Sequence, residues 1–183
     1  MLRLDALALG HAPPDDINVL VTSRSGAEPI ALEWDAPTGA LTVSQLFHTT
    51  MRAPGNLGII PRTQAENGEP LQALVVTSHE VPSGIVLPAR PIGVVIVQAT
   101  TSASPDVTVV ALPSPRLTRR YDPVATYRDL PAGHLKQLEH FLTHYRDLEE
   151  PSREPIAGWG DLSEAKRIIL EAAERVRGPR SYA

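Results

Sequence analysis

Six short apolar runs, each bounded by turn-forming residues, fill the stretch from Asp16 to Arg128 and constrain the fold more than any other feature. They are Ile17 to Thr22, Ile30 to Trp34, Leu41 to Phe47, Leu71 to Thr77, Ile92 to Gln98 and Val107 to Leu112. β-Branched residues are frequent in them, and their stiff side chains suit a pleated strand. Clusters of Gly, Pro, Asn, Asp and Ser separate the runs. Asp35-Ala36-Pro37-Thr38-Gly39 is a turn joining two of them. Short strands with many turns predict a closed or sandwiched antiparallel sheet.

The period changes after Pro131, which can open a helix because its missing N–H would be unpaired there. Leu135, Leu138, Phe141, Leu142, Tyr145 and Leu148 recur at three- and four-residue steps, one apolar helix face. A Pro-containing break follows, from Pro151 to Gly160. Asp161 precedes Glu164 by three residues, the spacing of a capping box, and a second helix runs through Ile168, Ile169, Ala172 and Val176. Gly178-Pro179 stops it. Residues 1–15, with Pro13-Pro14, read as an N-terminal arm. Residues 16–183 read as a single domain, strands to about 128 and helices over about 131–177.

Composition narrows the function. A chain of 183 residues suits one domain with a real core. It has no Cys, which excludes disulfide scaffolds, thiolate metal sites and cysteine nucleophiles. A net charge of -4 disfavours nucleic acid as the chief partner. Aromatics are only 4%, so the core must be Val, Leu, Ile and Ala. No stretch reaches the ~18 apolar residues of a membrane span. The apolar run at the start is too short for a signal-peptide core, so a cytoplasmic location and no membrane partner are expected.

Common catalytic motifs are absent: no Gly-x-x-x-x-Gly-Lys loop, no dinucleotide glycine fingerprint, no Gly-x-Ser-x-Gly elbow and no His-Glu-x-x-His. His140 and His144 share a helix face and would serve either a metal with a third ligand or packing at an interface. Arg116, Arg119 and Arg120 form a basic run suited to gripping a phosphate or to a solvated loop. Asn67-Gly68-Glu69-Pro70 is, on its residues alone, a turn carrying one carboxylate.

The stretch Asn67-Gly68-Glu69-Pro70-Leu71-Gln72 resembles the Asp-Gly-Asp-Pro-x-Asp signature of the soluble (family I) inorganic pyrophosphatases. Arg90-Pro91-Ile92-Gly93-Val94 is similar to that family's Arg-Pro-x-Gly-Val strand. Tyr121-Asp122, then Asp129-Leu130-Pro131, follow its turn and helix start. The run His140 to Glu149 resembles its long helix, and Gly158-Trp159 with Ala165 its final helix. Asp16-Ile17, Glu28-Pro29-Ile30, Gly39-Ala40-Leu41 and Asn56 keep its spacing. The resemblance spans roughly Asp16 to Val176. It implies an α+β fold: a five-stranded OB-like antiparallel β-barrel flanked by two long α-helices. It also implies Mg²⁺ ions and pyrophosphate in a cavity of carboxylates, Lys, Arg and Tyr, where metal-activated water attacks phosphorus.

Carried over position by position, the resemblance exposes substitutions. The three signature Asp fall on Asn67, Glu69 and Gln72, so Glu69 alone keeps a charge. The early site Glu falls on Thr22, and a Lys-x-Glu pair falls on Ala31 and Glu33. A phosphate-binding Arg falls on Gln45 and two Tyr on Ala53 and Leu57. In the late barrel loop one Asp falls near Ala99, the second on Asp106, and its Lys partner on Thr108. The helix Tyr-Lys pair falls on Tyr145 and Arg146. The metal candidates are thus Glu33, Glu69 and Asp106, vestigial because Asn67 and Gln72 replace carboxylates. Tyr145 and Arg146 are the phosphate-binding candidates, and Glu69 is the catalytic candidate. His140, His144 and Asp147 are candidate interface residues, since relatives form trimer-based hexamers.

Three functions compete. One is a family protein with little or no hydrolysis and a binding or assembly role, its Mg²⁺ binding weak or absent. Another is a working Mg²⁺-dependent diphosphatase with a rewired site, drawing charge from Arg52, Arg62, Arg119 and Arg146 and carboxylates from Glu66 and Glu69. The third is a module that binds pyrophosphate or another phosphorylated small molecule.

Overall fold

The computed structural model describes residues 6–35, 38–97, 105–149 and 156–177. Its strands in chain order are β1 (Ile17–Ser23), β2 (Ile30–Asp35), β3 (Ala40–Leu46) and β4 (Asn56–Ile59). β5 (Gln72–Val75), β6 (Val86–Val97), β7 (Asp106–Pro113) and β8 (Ile156–Gly160) follow, with helices α1 (Ala132–His144) and α2 (Leu162–Arg177).

Five strands close a ring in the order β1-β4-β5-β7-β6, with β6 returning to β1. Four of these contacts are antiparallel and β5–β7 is parallel, so the expected OB-like barrel is mostly antiparallel with one parallel seam. The reason is parity: strand directions cannot alternate all the way round a ring with an odd number of members. β6 spans the ring's two halves, pairing Val86–Ala89 with β1 and Val94–Val97 with β8. β2 and β3 pair only with each other, as a hairpin outside the ring.

Strand alternation builds two apolar cores. Ala73, Val75, Val109 and Ala111 face one cluster, closed by Ile169, Ala172 and Ala173 of α2. Leu74, Val76, Val110 and Leu112 face the other, closed by Leu138, Phe141 and Leu142 of α1. Burial on both faces is why these strands read as nearly continuous apolar runs.

β4 and β8 are absent from the six expected strands. β4 contains Gly58, a poor strand former, which is there because a Cβ would strike Leu20 O and come 2.6 Å from Val19 Cγ1. β8 lies in the Pro-containing break, whose residues 151–155 are outside those described. α1 ends at His144, short of the expected Leu148, which is 73% exposed after a turn. α2 is capped as expected, with Asp161 Oδ1 accepting the Glu164 N–H at 2.9 Å. Val176, expected on the apolar face, is half exposed.

The resemblance motifs meet in one junction. Gly93 lets β6 pass Tyr127, whose Cδ1 would lie 2.6 Å from an added Cβ. Tyr127 stacks on Trp159 of β8 with centroids 4.5 Å apart, and the Trp159 indole donates to Glu139 Oε1 of α1 at 2.7 Å. Arg90 donates to the Tyr121 and Val124 carbonyls, both at 2.6 Å. The Arg116–Arg120 run is structural in part: Arg116 clasps Asp16 with two N–H donors at 2.7 and 3.1 Å, and Arg119 pairs with Asp122. The N-terminal stretch lies on the barrel, with Leu9 buried and its carbonyl accepting the Asn18 N–H.

Candidate functional site

A cleft of about 490 Å³ opens between the β2–β3 hairpin, the β4–β5 side of the barrel and the end of α1. Its floor and walls are Thr22, Leu57, Gly58, Ile59 and Gln72 from the barrel. Pro29, Ile30, Ala31, Leu32, Glu33, Ser44 and Phe47 come from the hairpin, and Leu142, Tyr145 and Arg146 from α1 and its exit. Gly68, Glu69 and Pro70 of the signature loop complete it.

Seven positions singled out by sequence therefore share one cavity with Leu57: Thr22, Ala31, Glu33, Glu69, Gln72, Tyr145 and Arg146. Others lie just behind it. Gln45 is the cross-strand partner of Ala31, and Thr108 the parallel partner of Gln72. Ala53 does not reach the cleft; it is buried in the α1-side core. The position near Ala99 lies outside the described residues.

The signature loop is a tight turn in which Gly68 has φ +88°. Asn67 Oδ1 accepts the Glu69 N–H at 3.0 Å, the local bond that makes Asn a turn residue. The Asn67 amide also donates to Glu69 Oε2 at 3.4 Å. A neutral donor thus faces the Glu69 carboxylate where the signature would set a second anion beside a cation.

Arg146 is partly buried and flanked by aromatic rings. Its guanidinium lies 5.4 Å from the Phe47 ring centroid, 5.2 Å from that of Tyr145 and 4.0 Å from Asp106 Oδ2. Phe47 and Tyr145 meet edge to face at 5.4 Å, and Tyr145 stacks on Phe141. One residue on, His48 donates its backbone N–H to Glu149 Oε1 at 2.6 Å. That bond, with the His48 ring and its charge, holds the Glu149 carboxyl below the usual carboxylate range. Phe47 and Glu149 were not singled out from sequence, and no local pattern joins residues a hundred positions apart.

Among the described residues, no three His, Asp or Glu side chains come together in a group that could hold a metal. The undescribed segment 98–104 contains no Asp or Glu. Mg²⁺ takes hard oxygen ligands in near-octahedral geometry, commonly one or two carboxylates with waters and substrate phosphates. The donor set of Glu33, an amide-bonded Glu69 and an Arg-paired Asp106 does not fit a pair of Mg²⁺ ions. Of the residues a rewired site would draw on, Arg146 and Glu69 line the cleft and the others do not. Arg52 pairs with Glu28, Arg62 donates to the Leu7 carbonyl and Glu66 pairs with Arg175, and none lines the cleft. His144 bonds Asp147 at 2.7 Å with His140 beside it, on an exposed part of α1 and its exit.

A closed five-stranded barrel with two packed helices and a ligand-sized cleft under a hairpin defines an OB-like α+β class of protein. Within that class the match is specific. The model of the family described as Inorganic pyrophosphatase matches residues 21–177, and the chain belongs to that family. The inorganic pyrophosphatase of Agrobacterium fabrum is 43% identical over 176 residues, 96% of this chain and 98% of that protein. That of Brucella melitensis is 40% identical over 177 residues, 97% of this chain and 99% of that protein. Among solved structures, the Thermus thermophilus inorganic pyrophosphatase superposes with TM-score 0.86 at 25% identity, covering 96% of this chain and 99% of that one. A Coxiella burnetii inorganic pyrophosphatase gives 0.84 at 30%, covering 93% and 99%. No helix among the described residues is long and apolar enough to cross a membrane.

Proposed function

We propose that this chain keeps the pyrophosphatase scaffold and cleft but hydrolyses pyrophosphate very slowly or not at all, acting instead in binding or assembly. The observation that carries this reading is the chemistry of the cleft wall. Thr22, Ala31, Leu57 and Gln72 line it where the resemblance expects Glu, Lys, Tyr and Asp. Of the groups that remain, Tyr145 and Arg146 would contact a phosphate, Glu69 would sit nearest the chemistry, and Glu33, Glu69 and Asp106 would give Mg²⁺ a weak hold. Losing one preorganised electrostatic group commonly costs ~10²–10³ in rate. Groups that act as a unit fail together, so the loss here is many orders of magnitude. The protein is proposed to work in the cytoplasm as a trimer or hexamer built through His140, His144 and Asp147.

The relatives' shared name favours a second reading, a working Mg²⁺-dependent diphosphatase. A steady-state phosphate-release assay with Mg²⁺ and pyrophosphate separates the two. No measurable turnover is expected. Turnover within about tenfold of the enzyme median of ~10 s⁻¹ would establish the second reading instead.

A further inference from the structure

We propose that the cleft binds a small organic ammonium ion with an apolar body in preference to a phosphorylated ligand. The inference rests on the degenerate-site reading and deepens it by naming the chemical class of ligand.

The charge of the cleft comes first. Its charged lining residues are Glu33, Glu69 and Arg146. Arg146 has Asp106 4.0 Å away, so its charge is offset in part. Neither Glu33 nor Glu69 is ion-paired among the described residues. Among the described residues, two exposed carboxylates thus border a concave site without an ion-paired cation, and the walls of a cleft focus such a field. A pyrophosphate entering without a metal pair meets repulsion. An ammonium meets two acceptors for charge-assisted hydrogen bonds.

The walls specify the rest of the ligand. Ile30 and Leu32 face the cleft from the hairpin, Leu57 and Ile59 from β4, and Leu142 from α1. The resemblance places a Tyr at Leu57, so one wall has lost a hydroxyl that could bond a phosphate oxygen. Phe47 adds an aromatic edge. Thr22 and Ser44 already donate their hydroxyls to the backbone carbonyls of Leu57 and Ala31. Gln72 and Tyr145 are the other neutral side chains of the cleft that can donate, and apolar side chains share the lining with polar groups. About 490 Å³ falls in the range of pockets for small organic ligands, roughly 300–1,000 Å³.

A matched series tests this on the full-length protein. 3-Phenylpropylamine is protonated near neutral pH, like a Lys side chain with pKa ≈ 10.4. 3-Phenylpropanol and 3-phenylpropanoate are its neutral and anionic counterparts. Ligand-observed NMR and isothermal titration calorimetry should rank the ammonium at least tenfold tighter than the alcohol, with the carboxylate weakest. Glu33→Gln with Glu69→Gln should erase the preference. Glu171→Gln with Glu174→Gln removes the same charge from α2, outside the cleft, and should preserve it. Both variants change exposed or partly exposed side chains, and circular dichroism confirms their fold. Equal or tighter binding of the carboxylate would overturn the proposal. So would a preference that survives in the Glu33/Glu69 variant, or no binding of the ammonium at roughly 10 mM, weak even for a fragment-sized ligand. These outcomes are independent of phosphate release, so either reading can fail alone.

Discussion

One helix serves both a tightly packed junction and an open cleft of this molecule. Glu139 of α1 accepts the Trp159 indole N–H in a junction where Tyr127, Trp159 and Gly93 leave no room for another carbon. A turn later, α1 and its exit supply Leu142, Tyr145 and Arg146 to an open cleft. In the junction each group is in contact with the next, so a change anywhere disturbs several contacts at once. In the cleft, side chains border solvent, and an Asp can become Asn67 or Gln72 while the backbone turn persists. The resemblance motifs survive where packing demands them, and the charges are missing where only chemistry would.

The contrast is sharpest in the core under α1. Phe141 is 1% exposed, and Phe141→Ala should cost ~3–5 kcal/mol in urea denaturation. A loss below about 1 kcal/mol would show that α1 is not anchored there. Trp159→Phe keeps the ring stack but loses a hydrogen bond to a carboxylate, so about 1.5–3 kcal/mol is expected by the same measurement.

Acid should weaken the scaffold through its capped turns. Asp129 is held below the usual carboxylate range by the Thr126 backbone N–H first, and by that of Ala125. Asp161 is lowered by the Ser163 hydroxyl and then the Glu164 N–H. A depressed folded pKa means the unfolded state binds protons first as pH falls. The stabilisation is fully present above the unfolded value of about 3.9 and disappears as pH drops through the folded one. Thermal melts from pH 7 to pH 3 should fall, and Asp129→Asn should flatten that fall. A parallel curve for the variant would remove Asp129 from the account.

The smallest effect on stability is expected in the cleft. Asn67→Asp with Gln72→Asp should shift unfolding in EDTA by less than about 1 kcal/mol, as for positions outside a packed core. The pair should raise Mg²⁺ affinity by calorimetry, since charge returns to a loop already shaped for it. Turnover should stay absent, because Ala31, Gln45 and Leu57 leave phosphate oxygens ungripped and Arg146 remains engaged with Asp106. A large loss of stability in this pair would erase the contrast between junction and cleft.

Much of the fold was legible because its signals are local. The β-branched runs between turn residues became β1, β2, β3, β5, β6 and β7, with ends shifted by a few residues. The spacing of Leu138, Phe141 and Leu142 marked the buried face of α1. β4 escaped notice because Gly58 serves a close approach to β1 that leaves no mark in the neighbouring residues. β8 did because strand pairing with β6, more than its own propensity, makes it a strand.

The sequence by itself determined which residues could carry charge in the cleft, since the absence of Lys at Ala31, Arg at Gln45 and Asp at Gln72 is readable without coordinates. It also determined the alternation that splits the strands into two buried faces. Only the tertiary structure decided that β5 and β7 run parallel, because direction in a closed odd ring is a property of the whole ring. It alone decided the state of Arg146. A guanidinium flanked by Phe47 and Tyr145 and facing Asp106 depends on segments distant in the chain, and whether a cation is available to a ligand depends on which other groups have already neutralised it.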